Sequence, residues 1–89
     1  MAKKRRKLNK DFEKKIYSSK KNVELVLAKI YDIDDEDIQK EYISAFNKVV
    51  ILYDELNEDY EKYGFNDKSE SILLKYTNAF NLFESEFEI

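Results

Sequence analysis

Lys3, Lys4, Arg5, Arg6 and Lys7 stand in one run, and Lys10, Lys14, Lys15 and Lys21 follow at helical intervals. Cations at that density do one kind of chemistry well. They neutralise phosphates and release the counterions condensed on a nucleic acid, and several such contacts give a strong, salt-dependent affinity. The rest of the inventory narrows the field. There is no His and no Cys. That removes the usual general base near neutral pH, thiol nucleophiles, disulfides and nearly all zinc chemistry. Carboxylates are plentiful, yet Glu41, Glu55, Glu58 and Glu61 read as solvent-side helix charges and not as a catalytic set on an apolar face. No enzyme, no cofactor and no resident metal are expected. Base-specific readout is not visible either: Arg5 and Arg6 are the only arginines, and no Asn or Gln cluster accompanies them. The expected partner is therefore double-stranded DNA, gripped through its backbone with weak sequence preference. The bland readings of the same cations are a solubilising tail or a solvated helix face.

The charges are split along the chain. Residues 1–21 hold ten basic and two acidic side chains, and residues 22–89 hold six basic and seventeen acidic ones, so a net +8 is followed by a net −11. Such asymmetry suggests a basic arm that touches an anionic partner and an acidic body that does not. An alternative uses the body instead. The acidic runs Asp34–Glu36 and Glu58–Glu61 would mimic nucleic acid, making the chain a small helical inhibitor or adaptor from a phage or mobile element that acts on a host nucleic-acid-binding protein.

The elements that must carry these charges are helices. The chain has no Pro and a single Gly, so turn chemistry for hairpins is nearly absent, while apolar residues recur at helical spacing. The sequence predicts an all-α, three-helix arrangement, with a long central helix forming an antiparallel hairpin with the C-terminal helix. A basic, partly disordered arm over 1–10 precedes a single helical domain over 11–89, with helices at about 11–31, 35–63 and 68–87. Eighty-nine residues can bury a small core, and seven Tyr and six Phe enlarge it.

In the first segment, Phe12, Ile16, Val23, Leu27 and Ile30 fall on one side of an ideal helix. Lys3, Lys7, Lys10, Lys14 and Lys21 fall on the other, with Tyr17 at the edge of their stripe. Ser18-Ser19 is a possible interruption, with Asn22 capping a second piece. The long helix is predicted to start at an Asp34 cap, with Asp35, Glu36 and Asp37 at its positive end, and to stop at Gly64. Asn66, Asp67 and Ser69 can each cap the last helix, with Asp67 or Ser69 favoured because Glu70 then lies in the first turn. Asp32, Asp34 and Glu36 match the first three ligand positions of a calcium loop. Asp37 and Ile43 stand where that loop needs glycine and an acid, so the cluster reads as a cap. A helix-turn-helix over 22–42 is disfavoured, because its recognition helix would open on Asp34-Asp35-Glu36-Asp37 and phosphates would repel it.

The long helix has two adjoining apolar seams. One runs through Ile38, Tyr42, Ala45, Val49, Leu52 and Leu56, and the other through Ile43, Phe46, Val50 and Tyr53. Together they are wider than one helical contact needs. The surplus predicts self-association, through Tyr42, Phe46, Val49, Tyr53, Leu56, Tyr60, Phe80, Phe83 and Phe87. The longest apolar run, Val49 to Tyr53, is far short of a membrane span, and no apolar core follows the basic N-terminus as in a secretory signal. A cytoplasmic protein without a membrane partner is expected.

From Ile33 to Ile89 the order is acidic cap, long helix with Tyr at intervals, glycine stop, short polar loop and closing amphipathic helix. With Asp37, Tyr42, Leu52, Leu56, Glu61 and Gly64, then Ile72, Tyr76 and Leu82, this pattern resembles the short, all-helical phage terminase small subunits. The resemblance implies a non-catalytic DNA-packaging subunit. Such a subunit would form a ring through its helical hairpin, mark viral DNA with its basic part and recruit the large packaging ATPase–nuclease.

Overall fold

The computed structural model describes residues 7–87. Three helices follow one another: α1 (Lys10–Tyr31), α2 (Glu36–Tyr63) and α3 (Asp67–Glu86). They agree with the predicted spans to within one residue at each end. Lys3, Lys4, Arg5 and Arg6, the first part of the expected arm, and the chain end at Ile89 lie outside the described residues.

α2 is the spine. Its 28 residues make a rod about 42 Å long, and both neighbours pack along it in the opposite direction. At one end Phe12 of α1 lies on Tyr60 with ring centroids 5.5 Å apart. Along α3, Tyr76 meets Tyr53, Phe83 meets Phe46, and Phe87 meets Tyr42 at 4.8 Å. The fold is therefore up-down-up, and α1 and α3 run parallel to each other. The molecule is long and thin, 57 × 20 × 18 Å, with a radius of gyration of 15.2 Å. A compact chain of this length would have about 12 Å.

The core forms two clusters along the spine. Val23, Val26, Ile30, Phe46, Val49, Tyr76 and Phe83 make one, and Phe12, Ile16, Leu56, Tyr60 and Ile72 make the other. This corrects the expected subunit interface at five of its nine residues. Phe46, Val49, Leu56, Tyr60 and Phe83 are interior residues of a single chain, and Tyr42, Tyr53, Phe80 and Phe87 pack half-buried against them. The physical reason lies in α1. It runs unbroken for 22 residues and packs along α2 beside α3, which itself reaches both seams, Phe87 on Tyr42 and Phe83 on Phe46. Ser19 does not interrupt it, because its hydroxyl donates back to the Lys15 carbonyl at 2.8 Å and so stays within the helical pattern. Asn22 caps nothing and is exposed.

The helix ends also differ in detail from expectation. α1 opens on Asn9, whose side chain accepts from the Phe12 N–H at 3.0 Å. α2 is capped by Asp35, one residue after the predicted Asp34, and Asp35 accepts from the Asp37 and Ile38 N–H groups. α3 is capped by Asn66, not by Asp67 or Ser69. Ser69 instead completes a capping box, its hydroxyl oxygen accepting from the Asn66 N–H at 2.9 Å. Asn66 outdoes an aspartate here because its amide also donates, to Gly64 O at 2.9 Å and to Asp59 at 3.2 Å. The carbonyl end of α1 is closed by Gln39, whose amide nitrogen lies 3.2–3.4 Å from the carbonyls of Ile30, Tyr31 and Ile33.

Candidate nucleic-acid interface

Gly64 fixes where the basic segment meets the body. Its φ of 73° and ψ of −156° lie in a region that in practice only glycine occupies. The backbone of Lys7 lies against it so closely that a Cβ there would be 2.3 Å from the Lys7 carbonyl oxygen. That oxygen accepts from the Phe65 N–H at 2.6 Å. The Lys7 ammonium lies over the Phe65 ring, 5.9 Å from its centroid, a favourable placement of a cation on an aromatic face. Phe65 in turn packs edge-on against Phe12 at 5.0 Å. Residues 7–9, read from the sequence as part of a free arm, are thus held to the end of the bundle.

Tyr60 ties the start of α1 to the same end. Its hydroxyl accepts from the Asn9 N–H at 3.1 Å and donates to the Glu13 carboxylate at 2.5 Å. The effect on the charge pattern is direct. Glu13 is drawn to the body side of α1, so it does not cross the lysine stripe.

That stripe is Lys10, Lys14, Tyr17 and Lys21, spaced 4-3-4 on the side of α1 away from Phe12, Ile16, Val23 and Ile30. All four side chains are exposed. The Lys21 ammonium sits over the Tyr17 ring at 5.0 Å. At 1.5 Å per residue the stripe is about 16 Å long. Lys68 has a carboxylate partner in Asp59 at 3.7 Å, but among the described residues Lys10, Lys14 and Lys21 have none. The structure divides the sequence-predicted cations accordingly. Lys10, Lys14 and Lys21 share one outer face, Lys7 marks its N-terminal end, and Lys15 turns to the rim facing α3. Lys20, also exposed, was not singled out from the sequence. It flanks the core side of the helix, where periodicity alone gives it no special place.

Between α1 and α3 runs a groove, open because both helices pack on α2 more than on each other. One part has a volume of about 540 Å³ and is lined by Lys14, Lys15, Asn22, Tyr76 and Phe80. The next, about 750 Å³, is lined by Leu25, Lys29, Phe83, Glu84 and Phe87. No group of three or more Asp or Glu side chains is placed to hold a metal ion among the described residues. Nor is any helix among them long and apolar enough to cross a membrane.

Two tyrosines have displaced titrations. Burial, followed by the field of Asp54, Glu24 and Glu61, pushes the Tyr53 phenol up from its ordinary value. Burial also pushes Tyr76 up, against the opposing effect of the Ser19 side chain, and its phenol donates to the Ser19 carbonyl at 3.2 Å.

Fold and surface together define a class: an up-down-up three-helix module with a basic outer stripe on its first helix and a mainly acidic spine. Comparison goes no further, because no protein-family model, curated protein or solved structure matches the chain.

Proposed function

We propose that this protein is a non-catalytic, self-associating DNA-binding adaptor, of the kind the resemblance to phage terminase small subunits implies. In that setting its protein partner is a large packaging ATPase–nuclease. The observation that carries the DNA-binding part is the lysine stripe of α1. Lys10, Lys14 and Lys21 share one exposed face without carboxylate partners, and Lys7 is anchored at its end. A row of ammonium groups on one face of a rigid helix suits a polyphosphate backbone, because the helix holds their spacing. With no base-reading side chains on that face, the affinity is expected to vary little with sequence.

The test is a salt titration of binding to a DNA duplex, followed by fluorescence anisotropy. Each phosphate contact contributes about −0.9 to the slope of log affinity against log salt. Replacing Lys10, Lys14 and Lys21 together by alanine should therefore flatten the slope by about 2.7 and weaken binding on every duplex alike. Unchanged affinity in that variant would overturn the reading. The exposed Glu55 and Glu58 near the C-terminal end of α2 favour a second reading, in which the acidic body clamps a nucleic-acid-binding protein. A 1:1 complex abolished by Glu55→Lys and Glu58→Lys, with no DNA affinity in the parent chain, would support it.

A further inference from the structure

The outer side of α3 carries a run of exposed, uncharged residues bordered by Lys75. Wound at ~100° per residue, Ser71, Leu74, Asn78, Leu82 and Ser85 fall on the side opposite Tyr76 and Phe83. All five are exposed, Leu74 and Leu82 at 62% and 58%. None is charged, in a chain that is 39% charged. Depletion of charge at the centre of a surface patch marks protein contact surfaces.

The pattern also names the occupant. Its steps are 3-4-4-3, so it reads the same in both directions from Asn78: Leu74 and Leu82 lie four residues to either side, Ser71 and Ser85 seven. A two-fold interface demands that kind of self-complementarity, since residue i must meet j while j meets i. We infer that α3 pairs antiparallel with α3 of a second copy about a two-fold axis through Asn78. Leu74 of each chain then packs on the other's Leu82, and Ser71 lies level with the other's Ser85. Asn78 meets Asn78, each amide donating to the other's carbonyl oxygen, which satisfies both groups. A single polar residue at such a centre fixes register and orientation. On the flanks, the exposed Lys75 comes level with the second copy's Asn81 and Glu70 with its Glu86. The glutamates repel and Lys75 meets no charge, so the uncharged stripe must decide the pairing. One helical stripe buries less than the ~1,200–2,000 Å² of a stable complex. The pair is therefore concentration-dependent, with a dissociation constant on the order of micromolar or weaker. The inference deepens the self-association in the proposed function, but it rests on α3 alone and needs no DNA.

The natural absence of cysteine makes cross-linking a clean test in the full chain. Asn78→Cys should form a disulfide-linked dimer under mild oxidation. Leu74→Cys and Leu82→Cys should each remain largely uncross-linked alone, because the two-fold separates identical positions by about 12 Å, and should cross-link efficiently when mixed. Sedimentation equilibrium should show the 10.7 kDa chain moving toward twice that mass with concentration, and Leu74→Glu/Leu82→Glu should hold it at the monomer mass with unchanged helicity. Self-linking of Leu74→Cys, or monomer mass at every concentration, would overturn the pairing. If the lysine-stripe variant loses DNA binding yet Asn78→Cys still cross-links, the two surfaces are independent. If cross-linking fails while DNA binding persists, only the pairing falls.

Discussion

At Gly64 two requirements coincide, and either alone would exclude other residues. The positive φ strains any side chain, and the Lys7 backbone fills the space a Cβ would enter. Gly64→Ala should therefore lower stability by about 1–3 kcal/mol and loosen residues 7–9 as well. Urea midpoints would measure the first effect. Hydrogen exchange of the Phe65 amide, now protected by Lys7 O, would measure the second; protection unchanged in the variant would mean that Lys7 is held by other contacts. One turn earlier, Asp59 is a buried carboxylate that receives the Asn66 amide. Hydrogen bonds to charged groups contribute about 1.5–3 kcal/mol, so Asp59→Ala should destabilise the α2–α3 corner by that order. Asn66→Asp should also destabilise it, since it would replace the donor facing Asp59 with a second carboxylate.

Among the elements, the helices themselves were legible because their apolar spacing is strong over three or more turns. Their ends were less so. Asp34 and Asp35 carry the same side chain, and which one caps α2 depends on the path of the chain out of α1, including the three carbonyls that Gln39 gathers. Asn66 won over Asp67 through a donor that only the fold gives a target. The serine pair leaves a break in α1 open from sequence, because it says nothing about the carbonyl the Ser19 hydroxyl returns to, nor about Tyr76 arriving from α3. That last contact links α3 to α1 and carries a pH signature. Tyr76 and Tyr53 ionise above their ordinary value in the folded chain. The unfolded phenols titrate near about 10. A group whose folded pKa is raised contributes its stability in full below the unfolded value and loses it as pH climbs through the folded one. Stability should therefore be flat through neutral pH and fall only above about pH 10. Tyr76→Phe should reduce that alkaline loss while costing about 0.5–1.5 kcal/mol at neutral pH. Near-UV phenolate absorbance beside a urea series at each pH would check it. A variant with the full alkaline loss would remove Tyr76 from the account.

For the whole molecule, the decisive question is which apolar surface belongs to folding and which to assembly. The width of the α2 face suggested that one chain could not cover it, and the aromatic residues were assigned outward. Burial within one chain takes Phe46, Val49, Leu56, Tyr60 and Phe83 out of any interface and leaves Tyr42, Tyr53, Phe80 and Phe87 half-buried. α1 and α3 both pack along α2, leaving Phe46, Ile30 and Leu56 fully enclosed within one chain. The basic stripe was readable from period alone, whereas the anchoring of Lys7 was not, since no local pattern links it to a glycine 57 residues later. The arrangement separates two kinds of variant. Phe46→Ala should cost about 3–5 kcal/mol, a large part of the roughly 5–15 kcal/mol that holds a small domain together, and the loss should not be rescued by raising protein concentration. The parent chain should likewise unfold at nearly the same urea midpoint from dilute to concentrated solution, because a weak pair on α3 adds only the small term set by concentration over dissociation constant. Had the aromatic seams been the subunit interface, folding and assembly would be one event, and the midpoint would climb steeply with concentration. A steep climb would return those residues to the interface and would count against a self-sufficient three-helix chain.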